Sequence, residues 1–448
     1  MHRFAALRIS TLISSAVAIL GVAGLAGGQM PALPAHPSSA VTPRGLLTQP
    51  ISDSTPNAAQ LRRGQYLVAA GDCLSCHVRE GGELFAGGLG LNTPFGVIYT
   101  SNITPDRATG IGSWTSDQFY RAMHDGKGAH GQDLYPAFPY PWFRLVSRED
   151  DDAIFAFLMS LPAVGYTAPK NDLAFPLNFR SFVGAWNLLF LDTEDFQSEP
   201  EQSAEWNRGA YLVNGLGHCG GCHTPKNTFG ADKSEQELYG GKLDNWVAPD
   251  LTSNAHIGLG DWSVDDIAEF LATGRNGRAA AGGAMADVIS YSTSLLSDAD
   301  RRAIAVYLKS QPASPGVQSS APETGAMRRG AEVYSDACAS CHLDNGVGQS
   351  RLFPPLGKDA MLQQPDPTGL EHLILAGTRI GVSTSRPSPL GMPSFAWKLT
   401  DQEIADVSTF IRNSWGNQAA SVAASNVAEL RKKLGLQTVH LTDNSGDR

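Results

Sequence analysis

Every cysteine in this chain belongs to one of three pairs of identical form. Cys73-x-x-Cys76-His77, Cys219-x-x-Cys222-His223 and Cys338-x-x-Cys341-His342 each set two thiols three positions apart, with an imidazole directly after the second. That turn supplies what a covalently bound haem needs from five residues: two sulfurs at the spacing of the two vinyl groups, and a ring nitrogen beneath the iron. A disulfide framework, the first expectation for cysteines in an exported chain, gives no reason for the recurring histidine. A thioredoxin-like pair would sit in a β-α-β pattern that the sequence lacks, and a zinc site leaves the adjacent histidine unexplained. The expectation is three covalently bound haem c groups, with His77, His223 and His342 as iron ligands.

The pairs belong to a threefold internal repeat. Before each lies a helical segment opening on Arg and Gly: Arg63-Gly64-Gln65-Tyr66-Leu67, Arg208-Gly209-Ala210-Tyr211-Leu212 and Arg329-Gly330-Ala331-Glu332-Val333. Each repeat closes with a helix that starts on a capping box, Ser147 with Asp150, Ser297 with Asp300, and Thr400 with Glu403. An aromatic follows at one fixed place in each closing helix, Phe157, Tyr307 and Phe410. A glycine in the opening helix and an aromatic in the closing one predict two helices that cross closely. The repeats span residues 58–165, 203–312 and 325–416, with a Pro- and Gly-containing linker at 311–326. Residues 166–202 are too apolar for a solvated tether and read as a strap across two domains or as a docking surface. The tail, 417–448, has helical spacing from Val422 to Leu434 and reads either as an amphipathic partner or membrane helix or as a solvated terminal helix.

The sixth iron ligand decides whether such a site moves electrons or binds substrate. Met392, held by Gly391 and Pro393, and Met285, in Gly282-Gly-Ala-Met285, are the candidates in the third and second repeats. The first repeat carries Phe138 at the place of Met285, and Phe cannot ligate iron. Met123 is the leading substitute there, with His124, His130 or an open iron as alternatives. The segments Asn102-Ile-Thr-Pro and Asp250-Leu-Thr-Ser-Asn match one another and read as polar contacts near the haem or as loop-ordering turns.

The first 40 residues read as a signal peptide and N-terminal extension. Arg3 and Arg8 precede an uncharged apolar run, Ile9 to Ala26, and small residues follow at two possible cleavage points; an uncleaved anchor is the alternative. Losing Arg3 and Arg8 takes the formal net charge from −10 to −12, which disfavours nucleic-acid binding. Either reading sends the rest of the chain out of the cytoplasm, with the periplasmic side of a bacterial cytoplasmic membrane as the expected place.

At these residues the chain resembles the triple-haem cytochrome c subunits of membrane-associated bacterial dehydrogenases. The resemblance rests on Arg63-Gly-Gln-Tyr-Leu-Val-Ala-Ala-Gly-Asp-Cys, Gly90-Leu-Asn-Thr-Pro-Phe-Gly-Val-Ile-Tyr, Ser101-Asn-Ile-Thr-Pro-Asp, Leu134-Tyr-Pro-Ala-Phe-Pro-Tyr and Gly217-His-Cys-Gly-Gly-Cys-His-Thr-Pro. It implies a mainly α fold of three tandem class I cytochrome c domains, each around one haem. It also implies electron receipt from a dehydrogenase catalytic subunit, delivery to ubiquinone, and peripheral contact with the membrane. Phe138 with Met123, and Phe175-Pro-Leu-Asn-Phe-Arg, look more like the cytochromes of molybdenum-type aldehyde dehydrogenases, with a quinoprotein alcohol dehydrogenase partner next. The rival from another class is an autonomous haem enzyme, peroxidase-like or thiosulfate-oxidising, that uses the first haem with His124 or His130 as acid–base group.

Overall fold

The computed structural model describes residues 43–317 and 319–437. The expected leader and the last residues of the tail lie outside the described residues. After a short N-terminal helix, α1 (Pro43–Thr48), the chain builds three helical units of one plan. The first contains α2 (Ala58–Ala70), α3 (Cys73–Cys76), a hairpin of β1 (Gly90–Thr93) and β2 (Gly96–Tyr99), then α4 (Ser116–Asp125), α5 (Tyr140–Phe143) and α6 (Arg148–Met159). A strap with β3 (Asp172–Leu173), which pairs antiparallel with β2, and α7 (Ser181–Phe190) leads out of it. The second unit contains α8 (Ala204–Tyr211), α9 (Gly220–His223), the β4 (Gly241–Leu243) and β5 (Trp246–Ala248) hairpin, α10 (Val264–Thr273), α11 (Ala284–Tyr291) and α12 (Asp298–Lys309). The third contains α13 (Thr324–Ala337), α14 (Ala339–His342), α15 (Thr368–Ala376), paired β6 (Thr378–Arg379) and β7 (Gly391–Met392), α16 (Asp401–Ile411) and α17 (Ala424–Lys433).

The opening and closing helices cross in contact in every unit, as the sequence pattern predicts. A Cβ on Gly64 would lie 2.0 Å from the carbonyl oxygen of Ala153 and 2.8 Å from Cβ of Phe157. On Gly209 it would meet Ala303 O at 2.0 Å and Tyr307 Cβ at 2.8 Å, and on Gly330 Asp406 O at 2.2 Å and Phe410 Cβ at 2.7 Å. Backbone therefore packs on backbone, and only glycine leaves the room. The arginine before each glycine ties the crossing: Arg63 Nε donates to Asp150 (2.7 Å), Arg208 Nε to Asp300 (2.8 Å) and Arg329 Nε to Asp406 (2.6 Å).

Those ion pairs correct two of the three expected capping boxes. Ser147 and Ser297 do accept from the backbone N–H of Asp150 and Asp300. The Asp side chains turn toward arginine instead of back to the cap, so the reciprocal bond forms only where Glu403 serves Thr400 and the arginine's partner, Asp406, stands elsewhere.

The first two units exchange tyrosines. Tyr66 donates to Asp300 Oδ2 at 2.6 Å, and Tyr211 donates to Asp150 Oδ2 at 2.6 Å. Each phenol oxygen also accepts the backbone N–H at the other unit's cap, Ser297 and Ser147, both at 3.1 Å. One apolar core, containing Leu67, Val68, Ile154, Leu212, Val213 and Ile304, runs through both units. The third unit holds a separate core around Tyr334, Leu375, Ile404 and Val407. Its seam with the second unit is largely polar: Arg351 and Arg386 reach Glu269, Lys242 reaches Asp366, and Trp246 stacks on His372.

The tail helix α17 packs one face on the third unit and leaves the other, with Asn426, Glu429, Lys432 and Lys433, in solvent. Val427 and Leu430 are buried in the third core, and Arg431 donates to Ala396 O, Leu399 O and Asp401. Satisfying two buried carbonyls with one guanidinium fixes the helix in place. Among the described residues no helix is long and apolar enough to cross a membrane.

Gly330→Ala would gain helix propensity but force the α13–α16 crossing apart. The expected net result is a loss of about 1–3 kcal/mol, as for other overpacked sites, read by urea unfolding of the holoprotein. A stabilised variant would contradict the tight crossing. The buried Asp300 carboxyl is pushed up by burial, but hydrogen bonds from Arg208 and Tyr66 outweigh that and leave it below its ordinary value of 3.8. A depressed carboxyl stabilises above its unfolded value and loses that contribution as pH falls through the lower folded one. Asp300→Asn should therefore flatten the part of the stability profile below about pH 4, checked by unfolding at about pH 2.5–7.

Candidate functional site

Each Cys-x-x-Cys-His turn is a single helical turn, α3, α9 or α14, closed by a bond from the histidine N–H to the first cysteine's carbonyl: His77 to Cys73, His223 to Cys219 and His342 to Cys338. That bond folds the segment so that both sulfurs and the ring belong to one short arc. The three imidazoles are then held in one way. Nδ1 of His77 lies 2.7 Å from Ser101 O, Nδ1 of His223 lies 2.7 Å from Pro249 O, and Nδ1 of His342 lies 3.0 Å from Pro354 O. A carbonyl only accepts, so Nδ1 carries the proton and Nε2 keeps its lone pair, the arrangement that a metal-binding histidine needs. Burial pushes all three imidazoles below their ordinary value, against the carbonyl bonds that raise them, and so favours the neutral ring.

The cysteines sit at the edges of the cores. Cys73 and Cys219 pack against the shared core of the first two units, and Cys338 against the third. Burial holds the Cys73, Cys76 and Cys219 thiols up at about 12, and those of Cys222 and Cys338 at about 11. None pairs with another in a disulfide. Two thiols and an imidazole with a free Nε2, set against an apolar core, are the donor set that a covalently attached haem requires.

The candidate methionines reach the same cores. Met123 is buried on α4, in the cluster that holds Cys73, and Leu271 of α10 occupies the corresponding helix of the second unit. Met285, near the start of α11, packs against the core shared by the first two units, and α11 also meets the α3 turn of the first unit. Met392 lies on β7, against the core that holds Cys338. Phe138 packs at 5.6 Å from Phe143. His124 is engaged elsewhere, with Nε2 2.9 Å from Asp151 and its ring stacked on Tyr120 at 3.9 Å. Burial raises Asp151 to about 6 despite that histidine. His130 is on a turn, where its N–H donates to Gln132.

Asn102 and Asp250 order loops. Asn102 Oδ1 accepts from Thr104 N and its Nδ2 donates to Val164 O, while Asp250 Oδ1 accepts from Thr252 N. The residues just before them, Ser101 and Pro249, supply the carbonyls that hold His77 and His223. The sequence marks the segment but not that role, because a carbonyl leaves no side-chain signature.

The units also touch at their turns. A Cβ on Gly220, between Cys219 and Cys222, would lie 2.1 Å from the Trp142 ring of α5, and Phe143 meets His218 edge-on at 5.2 Å. From the other side, Ser292 of the second unit donates to Ala70 O, next to the first turn, at 3.3 Å. The strap spans the same two units through Trp186 Nε1 to Phe229 O (3.0 Å) and Tyr135 to Leu177 O (3.0 Å), and it leaves Phe175 and Leu188 80% and 87% exposed. It is thus both a packed strap and an exposed apolar surface.

Paired thiols, a pinned imidazole and a helix crossing define a cytochrome c fold, and the cytochrome c family model matches residues 327–415. Over 85% of its length the chain is 41% identical to the gluconate 2-dehydrogenase cytochrome c subunit of Pantoea cypripedii, covering 92% of that protein. It is 41% identical to the cytochrome c subunit of the quinone-type alcohol dehydrogenase of Gluconobacter oxydans, covering 83% of this chain and 82% of that one. A nicotinate dehydrogenase subunit of Pseudomonas putida is 39% identical over 93% of this chain, which spans 35% of that longer protein. The chain belongs to the family of dehydrogenase cytochrome c subunits. Membership implies covalently bound haem c, and the cysteine pairs at 73/76, 219/222 and 338/341 fit haem attachment.

Proposed function

We propose that this protein is a triple-haem electron-transfer subunit, in which Cys73/Cys76, Cys219/Cys222 and Cys338/Cys341 each attach one haem c. When bound, haem c supplies a one-electron iron couple within a protein matrix. The observation that carries the reading is the hydrogen bond repeated at all three histidines, each leaving Nε2 of His77, His223 or His342 free to ligate iron. Met285 and Met392 complete the second and third sites, and Met123 the first. A thioether sixth ligand closes the iron to substrates, which suits electron carriage. His124 is buried, with Nε2 against Asp151 and its ring stacked on Tyr120.

The donor is the catalytic subunit of a dehydrogenase, of molybdenum-type aldehyde dehydrogenase first and quinoprotein alcohol dehydrogenase second, and the acceptor is ubiquinone. The relatives' names support a dehydrogenase partner in general. Phe138 at the place of Met285, together with the buried Met123, favours the molybdenum type. The protein works at the periplasmic face of the cytoplasmic membrane, and the exposed Phe and Leu side chains of the strap suit peripheral contact with lipid.

Complex purified from its host with the bound dehydrogenase subunit should show haem reduction on addition of that subunit's substrate and reoxidation by a soluble ubiquinone analogue. A cytochrome that stays oxidised in a complex with active dehydrogenase would overturn the proposal. Met392→Ala should convert one haem of three from low-spin to high-spin and lower its potential, within the span of about 0.8 V that axial ligation covers. Spectroscopy and potentiometry of the holoprotein check it.

A further inference from the structure

We propose that the dehydrogenase subunit seats on the third unit, on an exposed apolar patch of Leu343, Val347 and Trp397 beside the Cys338–His342 turn. This rests on the electron-transfer reading and names the surface it would use. The turns of the first and second units face one another's units: Trp142 occupies the space beside Gly220, and Ser292 bonds beside the first turn. The third turn is at the surface, where Ser340 and Leu343 are exposed and Cys338 packs only into its own unit's core.

The patch is built around that turn. Leu343 follows His342 directly, is 45% exposed, and its carbonyl accepts from Tyr334 at 2.6 Å. Val347 is 54% exposed, and Trp397 is 58% exposed with its Nε1 bonded to Ser394 O. Lys398, next to Trp397, reaches across to Asp336 on the helix that leads into Cys338, at 2.7 Å, which brings the segment that carries Trp397 up to the turn. An exposed tryptophan among aliphatic side chains is typical of a protein-binding hot spot.

Charge selects the occupant. Glu332, Asp336 and Asp344 are exposed on the helix and turn that flank the patch; Lys398 pairs with Asp336, and Arg329, paired to Asp406, is the base nearest Glu332. Glu332 stands where the first two units carry Tyr66 and Tyr211, the residues that join those units to each other. The position used for internal docking elsewhere thus carries an exposed carboxylate here. An acidic rim repels an anionic lipid surface and fits a protein whose contact face is rimmed with Lys and Arg. In the step, one electron leaves the reduced dehydrogenase subunit and is taken up by the third unit, with no bond made and no proton moved.

Full-length holo-cytochrome carrying Trp397→Lys or Val347→Lys, mixed with the substrate-reduced dehydrogenase subunit in a stopped-flow instrument, should be reduced at least about tenfold more slowly than wild type. Haem content and potentials should be unchanged. Asp344→Lys should slow reduction and weaken its dependence on salt. Phe179→Lys and Leu188→Lys in the strap serve as comparison. Slowing by the strap variants and not by the third-unit variants would overturn the assignment. Carbodiimide labelling gives a second readout: the dehydrogenase subunit should protect Glu332 and Asp344, whereas protection by phospholipid vesicles alone, or by neither, would overturn it. Wild-type cytochrome that the reduced dehydrogenase fails to reduce would sink the broader electron-transfer reading as well, so the two failures are distinguishable.

Discussion

A carbonyl oxygen from a neighbouring loop holds Nδ1 of each histidine that follows a cysteine pair, and the rest of the molecule serves to keep that contact in place. Ser101, Pro249 and Pro354 supply the three oxygens. Each imidazole can then present its other nitrogen inward without choosing between tautomers. An orientation fixed in advance costs nothing further when a metal binds, which is why such outer partners matter nearly as much as the ligands themselves.

The helix crossing positions the loops. With Gly64, Gly209 and Gly330 at the contact points, opening and closing helices meet backbone to backbone, and an arginine–aspartate pair locks each crossing. In the first two units the same aspartates serve twice, accepting from their own arginine and from the other unit's tyrosine. A buried carboxylate that meets charged and phenolic donors together is well compensated, whereas removal of either donor leaves it exposed to the full cost of burial. The result is a fused pair of units and a third attached by a polar seam.

Much of this is legible in the sequence, and what is not has physical reasons. The cysteine–histidine turns, the crossing glycines and the aromatics facing them are readable because each requires a particular side chain at a particular spacing. Asp150 and Asp300 look like reciprocal caps because a carboxylate near a helix start has two possible partners, and only the fold reveals that arginine is nearer. Val427, Leu430 and Arg431 look merely amphipathic in isolation; the grooves they fill come from α15 and α16. Tyr66 and Tyr211 belong visibly to the repeat, and Glu332 in the third copy is the sign that this unit does not join the others in the same way. His124 looks available for chemistry in the sequence, which gives no hint that Asp151 lies against it.

Electron carriage by this chain requires porphyrin iron bonded through all three turns at once. Intact-mass measurement of the mature protein from its native host, paired with a pyridine haemochrome assay, tests that most directly. The expected result is a polypeptide heavier by three haems, with all six cysteines resistant to thiol reagents. A mass equal to bare polypeptide, or cysteines that alkylate freely in the denatured chain, would contradict it.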